Sequence, residues 1–214
     1  MCGMTCGADG AAPSSGVSDA ARRAVDIGGS AALLVLLSPV LIVLALLVKL
    51  SSPGPVLFRQ ERVGRFGRRF RLLKFRSMRQ AGGGPEVTAG GDARITPLGR
   101  FMRKWKLDEL PQFVNVLMGD MALVGPRPEV PRYVTSYTEE QMGVLVVKPG
   151  VTGLTQLEYR NEESLLAGRD DVEQYYIREV MPAKLALDLR YIQTRTLFGD
   201  LWLLLRTAAA ILRR

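Results

Sequence analysis

From Ile27 to Val48 the chain runs 22 residues without a charge, and Ser38-Pro39 stands in the middle of that run. About 20 apolar residues at 1.5 Å each are enough to span a hydrocarbon core of roughly 30 Å. Few helices of a soluble core are apolar on every side for so long. A cleaved signal peptide also fits poorly: the run exceeds the apolar signal core of about 7–15 residues, begins late and lacks a clear small-x-small cleavage site. Proline decides the shape. It has no backbone N–H to close the helical turn and its ring collides with that turn, so the helix kinks or breaks there. Each arm of about a dozen residues then rises roughly 17 Å, about half of the core thickness. The Ser38 hydroxyl can serve a carbonyl that the proline leaves free.

Both flanks of the run are basic: Arg22 and Arg23 before it, then Lys49, Arg59, Arg62, Arg65, Arg68 and Arg69 after it. Cationic flanks stay on the cytoplasmic side. A segment that dips into one leaflet and returns keeps both inside, whereas a straight span sends one across. The expectation is a re-entrant, monotopic anchor over 20–50, broken at Ser38 and Pro39, with a Pro-kinked spanning helix as the alternative. Residues 1–19 lack periodicity and read as a disordered tail. Residues 51–214 read as one domain at the cytoplasmic membrane face.

A chain of 214 residues can bury one sizeable core, and no long Pro/Ser-rich linker follows residue 20. Its 29 basic and 21 acidic residues give a net charge of +8, which suits nucleic acid, an anionic lipid surface or a phosphorylated substrate. Between Arg59 and Lys106 the only acids are Glu61, Glu86 and Asp92. There is no histidine, and the only cysteines are Cys2 and Cys6. Neither an imidazole base nor a zinc or disulfide framework is therefore on offer, and a reducing cytoplasmic setting fits. Carboxylates remain as the natural nucleophile and metal ligands. Adjacent carboxylates occur in Lys106-Leu107-Asp108-Glu109-Leu110-Pro111-Gln112.

The remaining pattern predicts a helix-rich α+β fold. Val56-Leu57-Phe58 and Arg69 to Phe75 look like short strands pairing across Gly64 and Gly67. The glycine-rich stretch 81–91 has no phosphate-cradling spacing and reads as a loop. Asp108 can cap a helix running to about Met118, with Pro111 in its first turn. Near the C-terminus Leu201, Leu204, Leu205, Ala208, Ile211 and Leu212 recur at helical spacing, with Arg206, Arg213 and Trp202 beside them, as in an amphipathic interfacial helix. A core-packing helix is the alternative there.

Taken together, these residues resemble the monotopic phosphoglycosyl transferases of the bacterial sugar transferase superfamily. The resemblance rests on Ser38-Pro39, Phe58 to Gly64, Lys74 to Met78, Asp92 to Thr96, Leu107 to Gln112, Asn115-Val116, Gly119-Asp120-Met121, Gly125-Pro126-Arg127-Pro128 and Lys148 to Gly153, all in the family's order. It covers nearly everything from residue 20 onward and looks like the small form made of the catalytic unit alone. It implies transfer of a phosphosugar from a UDP-sugar to undecaprenyl or a related polyprenol phosphate at the bacterial inner membrane, the first membrane step of glycan assembly such as exopolysaccharide biosynthesis, with release of UMP. Asp108 would be the nucleophile in a ping-pong course through an aspartyl-phosphosugar. Mg²⁺ would be held by Asp108 and Glu109, and phosphate bound by Lys74, Arg76, Arg103, Arg127 and Arg160. Membrane lipid is the further partner expected; a homodimer is left open.

Two departures from the family pattern bear on substrate contacts. Lys106 stands where many members have Ser or Thr, and Leu157 to Glu163 replaces the usual Gly-Arg-Asn while keeping Arg160-Asn161. A membrane-attached protein that recruits nucleic acid through its cationic surface is the competing class. Only 7% of the chain is aromatic, too little for a stacking platform, and no nucleic-acid motif occurs.

Overall fold

The computed structural model describes residues 16–79, 92–169 and 171–213. Most of the expected tail and the glycine-rich stretch at 81–91 lie outside them. Helix α1 (Gly16–Leu36) begins inside the segment expected to be disordered, and α2 (Ser38–Ser51) follows after Leu37. No single described helix is long and apolar enough to cross a membrane; the two arms together are, and they are bent by 64°. The break is local chemistry. Pro39 has no N–H to give to Val35 four residues back, and the Ser38 hydroxyl donates to that carbonyl at 2.8 Å instead.

Past the turn at residues 52–56, β1 (Leu57–Val63) and β2 (Arg69–Phe75) form the expected antiparallel hairpin, with Leu57 opposite Phe75 and Val63 opposite Arg69. Then come α3 (Pro97–Lys104), a 3₁₀ turn at Leu107–Glu109, α4 (Gln112–Met118) and β3 (Ala122–Val124). Strand β3 pairs in parallel with β4 (Gly150–Thr152), reached through α5 (Pro131–Val134) and a 3₁₀ segment at Gln141–Val146. Short helices α6 (Leu154–Glu158), α7 (Glu162–Leu166) and α8 (Val172–Tyr175) lead through a π turn into α9 (Met181–Thr194) and α10 (Leu197–Leu212).

Three apolar clusters hold these parts together. Leu44 and Val48 of α2 pack with Phe75 and Met102, so the second arm is seated on β2 and α3. Leu72, Val116, Met121 and Leu123 join the hairpin to α4 and β3, and Tyr133, Leu166, Tyr176 and Leu185 centre the C-terminal half. Polar ties reinforce the first arm: Arg23 donates to the Val116 and Leu117 carbonyls at 2.7 and 3.0 Å, capping the end of α4. Asp26 accepts from the Leu123 N–H at 2.8 Å.

The apolar residues of the broken pair are largely exposed, Leu50 to 83%. On helix α10 Leu203 is buried while Leu201, Trp202 and Leu205 are exposed, and Arg206 stacks on Trp202.

Candidate active site

Asp108 does not cap α4 as the sequence suggested. Pro111 occupies the N-cap position without a side-chain bond, and Asp108 lies earlier, in the 3₁₀ turn. That turn follows Lys106 in a left-handed conformation, φ 56° and ψ 22°. A tight irregular turn lets adjacent residues face one site, which a regular helix with 100° between neighbours does not.

The neighbouring strand is fixed against this segment by Asn115. Its side-chain amide accepts from Leu73 N–H at 3.0 Å and donates to the Arg71 carbonyl at 2.9 Å, as an adjoining strand would. Lys74 is thereby placed beside Glu109, Nζ to Oε1 at 3.4 Å. Arg127 reaches the same oxygen at 3.0 Å. Its loop is clasped from both sides: Gly125 N–H donates to Thr152 at 2.9 Å, Gly150 N–H to Pro126 at 2.8 Å, and Val63 N–H to Glu129 at 2.9 Å. A Cβ on Gly125 would stand 2.6 Å from the Lys148 carbonyl oxygen, and one on Gly150 2.1 Å from the Gly125 nitrogen, so both backbones need glycine to meet.

Asp108 is 5% exposed, and its Oδ1 has no hydrogen-bond partner among the described residues. Burial, then the charge of Glu109, raises its pKa against the opposing pull of Lys74, Lys106 and Arg103. Burial would raise Glu109 too, but Arg127, Lys74 and Lys106 together outweigh it and hold that carboxyl well below the usual range. Lys74 is lowered by burial to about 8 despite Glu109. One carboxylate is thus firmly ionised and engaged, and its neighbour is buried with an oxygen unengaged.

These groups border one cleft of about 1460 Å³. Arg103 borders it but is engaged by Glu163, through Nε at 3.0 Å and a second contact from Nη2. Arg160 borders it and is exposed. Arg76 borders the cleft as well, but its guanidinium is held from elsewhere. Only 5% exposed, its guanidinium donates to the carbonyls of Val48, at 3.0 Å, and of Ser52 and Pro55, which occupies the fork that a phosphate would need. Ser38 and Pro39 sit at the helix break, apart from the cleft.

The far wall contains residues that sequence reasoning missed. Glu129 accepts from Arg62 at 3.0 Å and from the Tyr176 hydroxyl at 2.5 Å, and Lys184 bridges Glu162 at 2.8 Å. Burial would raise Glu129, but Arg62, Lys184 and the Tyr176 hydroxyl outweigh it. Glu129 follows Arg127-Pro128 directly and had that much signal. Tyr176 and Lys184 had none.

Among the described residues no cluster of three or more His, Cys, Asp or Glu side chains could hold a metal by itself. Adjacent Asp108 and Glu109, with one buried oxygen unpartnered, do fit Mg²⁺, which takes one or two carboxylates from protein when phosphate and water complete its shell.

A model described as bacterial sugar transferase matches residues 17–214. The UDP-glucose:undecaprenyl-phosphate glucose-1-phosphate transferase of Caulobacter vibrioides is 41% identical over 199 residues, 91% of this chain and 70% of that protein. The protein of the same name from Escherichia coli is 41% identical over 195 residues, 88% of this chain but 39% of its own length. Exopolysaccharide production protein ExoY of Rhizobium meliloti is 32% identical over 208 residues, 89% and 85% of the two chains. This chain thus spans well under half of the Escherichia coli relative and most of the other two. By the match over residues 17–214 and that level of identity, the chain belongs to the bacterial sugar transferase family of enzymes.

Proposed function

We propose that this enzyme transfers a phosphosugar from a UDP-sugar to a polyprenol phosphate at the cytoplasmic face of the bacterial inner membrane. The observation that carries the reading is Asp108, buried with a free Oδ1, beside a Glu109 already neutralised by Lys74 and Arg127. The activities for which the relatives are named support the donor and acceptor classes.

The Asp108 carboxylate oxygen attacks the sugar-bearing phosphorus, and the bond to the bridging oxygen breaks with its electron pair leaving on UMP. A phosphate oxygen of the lipid then attacks the same phosphorus, releases the Asp108 carboxylate and yields polyprenol diphosphosugar. Lys74 and Arg127 hold Glu109 ionised and in place through both steps. Bound Mg²⁺ would neutralise phosphate charge and favour the ionised form of Asp108. The bent pair α1–α2 serves as a re-entrant anchor, its exposed apolar face in one leaflet, with α10 lying at the interface. The active site is then within reach of a lipid phosphate.

The test is incubation of the purified protein with Mg²⁺ and a panel of UDP-sugars, with and without undecaprenyl phosphate, following UMP release and intact protein mass. Lipid-dependent UMP release, with a phosphosugar adduct that vanishes in Asp108→Asn, is expected. Wild-type turnover by Asp108→Asn would remove Asp108 from the nucleophile's role.

A further inference from the structure

Lys106 adopts φ 56° and ψ 22°, just past Trp105, the C-cap of α3. Helices commonly place glycine at this left-handed position, because a Cβ there crowds the following carbonyl. The backbone does only what any helix end does, Lys106 N–H donating to the Arg103 carbonyl at 3.2 Å. Glycine would make that turn with less strain, so the reason for this residue lies in its side chain.

That side chain borders the cleft. Its ammonium has no hydrogen-bond or ion-pair partner among the described residues. Lys74 and Arg127 are engaged by Glu109, Arg103 by Glu163 and Lys184 by Glu162, and the exposed Arg160 is not without a partner either. Lys106 acts on Asp108 and Glu109 only through space, favouring the ionised form of each. Two cations, Lys74 and Arg127, balance the two carboxylates, and Lys106 adds a positive charge beside them in a cleft that Arg59, Arg79, Arg100 and Arg160 also line, as a diphosphate requires.

We propose that Lys106 binds the phosphate of the nucleoside monophosphate half of the donor, the half that leaves. This rests on the donor reading given above. Lys74 and Arg127 converge on Glu109 and so serve the phosphorus under attack, and the Lys106 ammonium, two residues before Asp108 and bordering the same cleft, is placed for the phosphate next to it. As the carboxylate oxygen bonds to the sugar-bearing phosphorus and the bridging bond breaks, negative charge passes to the departing phosphate, and Lys106 donates to it without losing its proton. A point charge on a flexible four-carbon stem can follow that phosphate as it moves away.

Isothermal titration of the full chain in nanodiscs with UMP, in Mg²⁺ and again in EDTA, tests this on Lys106→Ala, Lys106→Gly and Lys106→Arg. A charge-assisted bond to phosphate is worth about ten- to a hundredfold in affinity. Ala and Gly are expected to weaken UMP by that factor and Arg to stay within about threefold of wild type. The Gly protein should melt no lower than wild type, because its backbone strain is relieved. Single-turnover UMP release should slow in Ala and Gly by more than transfer from the loaded protein to lipid phosphate does. Unchanged UMP affinity in Ala or Gly overturns the proposal, as does a Gly protein that melts below wild type. A wild-type protein that binds no UMP removes the donor class itself, whereas binding indifferent to position 106 removes only the role of Lys106.

Discussion

The buried guanidinium of Arg76 donates to the carbonyl of Val48 at 3.0 Å, joining the residue after β2 to the last turns of α2. Ser52 and Pro55 supply two further acceptors to the same guanidinium. Lysine cannot reproduce such a fork, and buried hydrogen bonds to a charge are worth about 1.5–3 kcal/mol each. Arg76→Lys should therefore lose about 3 kcal/mol or more in denaturant unfolding while the folded fraction binds UMP normally. Weakened UMP binding at wild-type stability would return Arg76 to phosphate recognition.

Pro39→Ala gives back the N–H that the Val35 carbonyl lacks, removing the cause of the break. Cys2 and Cys6 are natural reporters of the resulting topology. A membrane-impermeant maleimide applied to spheroplasts should spare both thiols in the wild type and label a substantial fraction in Pro39→Ala. Labelling of the wild type from outside would favour a kinked span over a re-entrant anchor.

Glu109→Gln removes the anion that Lys74 and Arg127 share. Turnover should fall about a hundredfold or more, the scale seen when one preorganised polar group is lost from a site of charge transfer. Because the groups act as a unit, Glu109→Gln and Arg127→Ala should combine with a coupling of about 1–3 kcal/mol in transition-state free energy. Strict additivity in the kcat/KM cycle would mean that Arg127 works independently of Glu109.

Asp188 lies buried on α9, where burial raises its pKa to about 6 against the hydrogen bond from Thr155 and the charge of Lys184. Between about pH 4 and pH 6 the folded chain holds this proton and the unfolded chain has released it, so stability falls as pH rises through that window. The distance from the ordinary 3.8 to about 6 corresponds to about 3 kcal/mol. Asp188→Asn keeps an acceptor for Thr155 without the charge. It should match wild type near pH 4 and exceed it above pH 6 in denaturant titrations, and parallel pH profiles would contradict this.

Local chemistry was legible in the sequence. Pro39 announced the break and Ser38 its repair, alternation and glycines gave the hairpin, and adjacency gave the Asp108–Glu109 pair. Contacts set by distant chain segments were not. Arg76 reads as one more cation in a basic stretch until α2 folds back over it, and the partnership of Glu129 with Tyr176 spans 47 positions that carry no shared local pattern. The cap assigned to Asp108 failed for a related reason: the left-handed Lys106 inserts a 3₁₀ turn that periodicity does not announce.

The amide of Asn115 sets an indexing stop between two parts of the machine. A strand can slip only by whole residues, and a slip of one would turn Lys74 to the opposite face. By engaging Arg71 and Leu73 together, Asn115 admits one setting, so the spacing of Lys74 from Glu109 is fixed by a group that touches no reactant. Substitutions on the opposite wall, at Glu162 of α7 or Lys184 of α9, can therefore leave the calibration of Lys74 against Glu109 as it is.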